Sequence, residues 1–109
     1  MKKLNNYDRF LISSMSDELG EQYIYKFENG YGASVIRNPY SYGEENGKWE
    51  IATITFPYEN QEDLHFNISY DIWDDVQGYL TWEKVEMYLN EIYNFTPKKV
   101  DKDIVSEEG

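Results

Sequence analysis

The chain contains no cysteine. That excludes disulfides, thiolate metal sites and a cysteine nucleophile, and it suits a reducing cytoplasm. Histidine occurs once, as His65, and no serine stands in a Gly-x-Ser-x-Gly setting, so nucleophilic catalysis lacks its usual parts. The glycines are scattered, and no glycine-rich run ends in Lys-Ser or Lys-Thr to cradle a phosphate. No segment approaches the roughly 18 apolar residues of a membrane helix. The opening Met1-Lys2-Lys3-Leu4-Asn5-Asn6 has the charge of a signal peptide's first region, but no apolar stretch follows. A soluble protein that stays in the cytoplasm is expected.

Basic residues are scarce in one part of the chain. Residues 1–37 carry five acids and five bases, whereas residues 38–95 carry twelve acids against Lys48 and Lys84 alone. That stretch holds nearly all of the net charge of −11. Such a field repels nucleic acid and anionic membrane and attracts basic protein surfaces. Aromatic residues are abundant, with eleven Tyr, five Phe and three Trp. Eleven tyrosines in a domain this small cannot all be buried; several are expected half out, in positions suited to protein contacts.

At 109 residues the chain is expected to be one domain, spanning 1–95, with a disordered charged tail over 96–109. Tyr7, Phe10, Leu11, Ser14 and Met15 recur at helical spacing and predict a helix over about 6–18, ended by Gly20. Residues 21–37 read as a hairpin: Tyr23, Tyr25 and Phe27 alternate, and Asn29-Gly30 fits a type I′ turn. A third strand over about 48–56 is apolar on both faces, as a central strand should be. A fourth carries Leu64, Phe66, Ile68 and Tyr70 in alternation, and 71–80 reads as an acidic, aromatic connection. Thr81 caps a helix over 82–94, with Val85, Leu89 and Ile92 on its buried stripe. The expected fold class is α+β: an antiparallel four-stranded meander flanked by an N-terminal and a C-terminal helix packed on one face.

The clustered acids point to no catalytic or metal chemistry. Glycosidase-type carboxylates must face each other across a cleft, and a small meander offers little cleft. A calcium loop opening at Asp71 would place Trp73 where the second ligand belongs and Trp82 where the closing glutamate belongs, so the match fails. Neither a metal nor another cofactor is expected. Tyr40-Ser41-Tyr42-Gly43 has the aromatic content of a base-stacking platform, but only Arg37 and Lys48 lie near it in sequence, and such platforms need a basic groove. Direct nucleic-acid binding is not expected.

Several runs resemble a group of small phage and prophage proteins. They are Asn29-Gly30-Tyr31-Gly32-Ala33-Ser34-Val35, Pro39-Tyr40-Ser41-Tyr42-Gly43, Trp49-Glu50-Ile51-Ala52 and Asp74-Asp75-Val76-Gln77-Gly78-Tyr79-Leu80-Thr81. The resemblance spans about residues 25–93. It implies a phage or mobile-element origin and carries over no catalytic residue. Two functions fit these features. The first is a non-enzymatic inhibitor of a host nucleic-acid-handling or defence protein, of anti-CRISPR or DNA-mimic type, whose carboxylates stand in for phosphates on a basic host surface. Its charged contacts would be Glu44, Glu45, Glu59, Glu62, Asp63, Asp71, Asp74 and Asp75, with Tyr40, Tyr42 and Trp73 as apolar anchors. The second is a structural or accessory phage protein, such as a homodimer built through a sheet edge or the tyrosine-rich loops.

Overall fold

A computed structural model of the chain describes residues 6–18, 20–37, 48–57 and 64–96. Within them a 3₁₀ turn (Asp8–Phe10) leads into β1 (Leu11–Asp17), β2 (Gly20–Lys26), β3 (Tyr31–Arg37) and β4 (Trp49–Thr55). The short strands β5 (Asn67–Ile68) and β6 (Gln77–Leu80) follow, and then the helix α1 (Trp82–Tyr93). The fold is α+β. The strands form one antiparallel sheet in the order β1-β2-β3-β4-β5, with β6 also paired to β4. The sheet is antiparallel as expected, but among the described residues it has six strands rather than the four of the expected meander, and there is one α-helix rather than two.

The N-terminal helix expected over 6–18 is the 3₁₀ turn followed by β1. The apolar stripe is real only at its start. Tyr7, Phe10 and Leu11 pack against the core, whereas Ser14 is exposed and Met15 is 55 % exposed. Ser13, Ser14 and Ser16 divert backbone hydrogen bonds from a helix, and β2 offers a ladder that a helix would forgo. Pairing wins, with Ser14 opposite Tyr23 and Met15 opposite Gln22 after an irregularity between Leu11 and Ser13.

The β2–β3 hairpin forms as expected, but its turn differs. Phe27 N–H donates to Tyr31 O at 2.8 Å, enclosing Glu28, Asn29 and Gly30. Gly30 is left-handed at φ +91°, whereas Asn29 is not. A three-residue loop with glycine in the left-handed position therefore replaces the two-residue type I′ turn. This loop leaves the Asn29 side chain available for the helix. Its Nδ2 donates to Ile92 O (2.8 Å) and Phe95 O (2.9 Å), and its Oδ1 accepts from Tyr31 N–H (3.0 Å).

β4 is the central strand, with Trp49, Ile51, Ala52, Thr53 and Ile54 buried. Its outer edge is shared. β5 pairs with Ile54 and Thr55, and β6 pairs with Trp49 and Ile51. The fourth strand expected over 64–70 is therefore only two residues long, and part of the expected connection is a strand. Asp71, Asp74 and Asp75 suit a ladder poorly, so the chain leaves the edge after Ser69, whose N–H still reaches Thr53 O at 2.7 Å, and rejoins it at Gln77.

α1 lies over one face of the sheet. Thr81 caps it as expected, its hydroxyl accepting from Lys84 N–H at 3.3 Å. Val85, Leu89 and Ile92 are fully buried against Tyr25, Ala33, Val35 and Ile51, each contributing about 1.5–3 kcal/mol of burial. Trp82 joins them, its ring edge-on to Trp49 at 4.8 Å. On the opposite face Phe56 and Tyr25 O crowd the α-carbon of Gly32, leaving no room for a side chain.

Candidate functional site

The excursion between β5 and β6 is held at several points. Ile72 and Trp73 are half-buried against the core. The Trp73 ring meets Tyr88 edge-on at 4.9 Å, and its Nε1–H donates to Glu91 Oε1 at 3.2 Å. Asp71 Oδ2 accepts from the Tyr31 hydroxyl at 2.7 Å, and Asp71 N–H donates to Ser69 Oγ at 3.2 Å. Asp75 Oδ1 accepts from Val76 N–H at 2.7 Å, and Gln77 Nε2 donates to Asp75 O at 3.0 Å. The loop is thus fastened to β3 and to α1, while Asp71, Asp74 and Asp75 stay exposed.

The helix under this loop is acidic as well. Glu83, Glu86 and Glu91 lie on it with Lys84 as its one base. Glu86 Oε2 accepts from Trp82 Nε1–H at 3.0 Å, so two carboxylates of the helix serve as acceptors for indoles. The loop and α1 together carry six carboxylates and one base, Lys84, while Arg9 of the 3₁₀ turn adds a positive charge near Glu86. Among the described residues no group of three His, Asp or Glu side chains is placed to hold a metal ion.

Of the residues expected to contact a partner, Asp71, Trp73, Asp74 and Asp75 are brought together on this loop. Trp73 offers only part of its surface, because its ring and N–H bolt the loop to α1. Tyr40, Tyr42, Glu44, Glu45, Glu59, Glu62 and Asp63 lie outside the described residues, as does the tail beyond Thr96. Sequence reasoning did not pick out Tyr31, whose hydroxyl reaches Asp71 from β3. Strand alternation places Tyr31 on the face of Ala33 and Val35, but no sequence signal pairs it with an acid forty residues away. Nor was Tyr79 singled out. It is 64 % exposed and left-handed at φ 59°, a conformation that costs a non-glycine residue about 1–2 kcal/mol.

A cleft of about 390 Å³ opens between Tyr31, Asp71, Phe95 and Thr96. The Tyr31 and Phe95 rings stand edge to face at 5.1 Å. The hydrogen bond to Asp71, aided by burial, pushes the Tyr31 hydroxyl up to about 12. In a second, shallower hollow lined by Asp17, Glu21 and Arg37, the last two are paired with each other. Arg37 Nη2 sits 2.8 Å from Glu21 Oε2, and the Tyr23 hydroxyl donates to Glu21 Oε1 at 2.7 Å.

No helix among the described residues is long and apolar enough to cross a membrane. Comparison of the chain with known protein families, with characterised proteins and with solved structures finds no match.

Proposed function

We propose that this chain is a small acidic binding protein of phage type that inhibits a host nucleic-acid-handling or defence protein without catalysing a reaction. Its carboxylates occupy a basic surface that otherwise receives phosphates, in the host cytoplasm. The observation that supports this reading is the set of six carboxylates, Asp71, Asp74 and Asp75 on a loop fastened to α1 and Glu83, Glu86 and Glu91 on that helix, with Lys84 as the one base of these two elements. A fastened loop loses little conformational entropy on docking. A partner of opposite sign gains encounter rate and affinity from such a field, both weakening with salt.

The test uses purified nucleases with basic DNA grooves, a CRISPR effector and a restriction endonuclease among them. Cleavage should be inhibited in competition with DNA, and the inhibition should weaken about tenfold or more between about 50 and about 200 mM salt. Asp74→Lys with Asp75→Lys should abolish it while leaving the circular dichroism spectrum unchanged. Inhibition that is indifferent to both salt and charge reversal would remove the phosphate-mimic reading.

One observation favours the accessory-protein alternative. β1 is the outermost strand of the sheet, and it exposes Ile12 (48 %) and Met15 (55 %) in the electrically neutral part of the sequence, so a second copy could add to that edge. Sedimentation equilibrium of the wild type and of Met15→Lys separates the readings. A dimer lost in the variant supports edge pairing, and a monomer at every concentration refutes it.

A further inference from the structure

We infer that the cleft between Tyr31, Asp71 and Phe95 is a seat for a guanidinium group, an arginine side chain presented by the basic partner. This inference rests on the binding-protein reading above and names the contact that would anchor it.

Four features converge on a cation. Two aromatic rings line the cleft, at 5.1 Å from each other, and ring faces attract cations, guanidinium most often. Asp71 supplies a carboxylate at the rim. Its Oδ2 is committed to Tyr31, while among the described residues no hydrogen bond engages Oδ1, which leaves that oxygen for a charge-assisted bond. The C-terminal end of α1 leads directly to Phe95 in the cleft wall and has no basic residue in its last turn, so its partial negative charge is not offset by a cation within the helix. Finally, the walls are preorganised. Asn29 holds Phe95 through its carbonyl (2.9 Å) and Tyr31 through its backbone N–H (3.0 Å), so seating a ligand does not require assembling the site. A volume of about 390 Å³ admits a guanidinium and the methylenes behind it.

Nα-acetyl-arginine amide is the probe, titrated into the full chain at neutral pH while the Tyr31 and Phe95 ring resonances are followed by NMR. Nα-acetyl-glycine amide is the uncharged control. Lys98 and Lys99 are the nearest cations that follow in the sequence, so a Lys98→Gln/Lys99→Gln chain is titrated in parallel to expose any internal competition. The expected result is a saturable shift of both rings by the arginine probe alone, in at least one of the two chains. Asp71→Asn should weaken it about fivefold. Tyr31→Phe keeps the ring and frees Asp71 Oδ2 while loosening the loop's tie to β3, so a saturable shift should persist. Asp74→Asn with Asp75→Asn removes twice the charge of Asp71→Asn, yet should weaken binding less, because those acids do not line the cleft. No saturable shift in either chain overturns the inference. So does a loss in the Asp74/Asp75 variant equal to or greater than that in Asp71→Asn, which would mark a general field effect. The probe needs no host protein, so the two ideas fail separately. Nuclease inhibition with an empty cleft sinks only this inference, whereas arginine binding without any nuclease inhibition sinks only the phosphate-mimic reading.

Discussion

Removing the Asn29 carboxamide should loosen the end of the helix from the hairpin, and the size of the effect follows from its three hydrogen bonds. Nδ2 donates to Ile92 O and Phe95 O, and Oδ1 accepts from Tyr31 N–H. Ile92 O keeps a second donor, Phe95 N–H at 3.1 Å, so Asn29→Ala strips one carbonyl of this partner completely and another in part. At about 1 kcal/mol net per neutral bond, with water replacing some of the loss at a half-buried site, the cost is about 2 kcal/mol. In urea that moves the midpoint by about 1 M for a domain of this size. Asn29→Asp tests the cause more sharply. It keeps the acceptor for Tyr31 but turns a carboxylate toward two carbonyls at the negative end of a helix, so at neutral pH it should cost about 1 kcal/mol more than alanine. That repulsion raises the carboxyl's pKa in the folded state above its unfolded value. The aspartate variant should therefore gain on the alanine variant as pH falls, and lose that gain as pH rises through the raised value. Urea titrations followed by circular dichroism and tryptophan fluorescence, at neutral and acidic pH, measure both. An alanine variant within about 0.5 kcal/mol of wild type, or an aspartate variant indistinguishable from alanine at neutral pH, would refute this account of the helix end.

Two further outcomes are expected. Burial of Glu21 would raise its pKa, but hydrogen bonds from Tyr23 and Arg37 overcome that and hold it below the ordinary value of 4.5. A depressed carboxylate contributes stability above its unfolded pKa and loses it as pH falls through the folded one. Wild type should therefore weaken progressively in acid below about pH 5, and Glu21→Gln should show a shallower slope in the same urea series. A variant with the wild-type slope would contradict that. Thr53 is 1 % exposed and its hydroxyl meets no hydrogen-bond partner among the described residues, so Thr53→Val should raise stability by about 1 kcal/mol, by removing an unsatisfied buried group. A loss of stability would show instead that the hydroxyl is satisfied.

How much could be read from the chain alone depended on whether a local pattern had a long-range competitor. Thr81 and the Val85, Leu89 and Ile92 stripe gave α1 correctly, because capping and amphipathic spacing are local and the sheet supplies the matching surface. The hairpin was equally legible from its alternation and Gly30. The first segment misled because Tyr7, Phe10 and Leu11 fit a helical stripe while the decisive fact, a free edge on β2, lies outside the segment. β6 was hidden for a related reason. Gln77-Gly78-Tyr79-Leu80 has neither strong alternation nor β-branched residues, and it is a strand because β4 still had donors and acceptors to pair at Trp49 and Ile51, before the part taken by β5. The loop acids were visible as charge, but their fastening was not. Tyr31 to Asp71, Trp73 to Glu91 and Asn29 to Phe95 each join residues far apart in sequence.

The same physics that breaks the fourth strand creates the candidate site. Aspartates at 71, 74 and 75 are poor ladder residues, so the edge of β4 is relinquished between Ser69 and Gln77 and the carboxylates are displaced toward the helix instead of into the sheet. There they divide by role. Glu86 and Glu91 accept from indole N–H groups, and Asp71 accepts from Tyr31, so changes at these positions would disturb structure along with charge. Among the described residues, neither Asp74 nor Asp75 accepts a hydrogen bond from another element. The charge-reversal test belongs at those two positions, since there the bonds that fasten the loop to β3 and α1 are left in place and only the local Asp75–Val76 bond is lost.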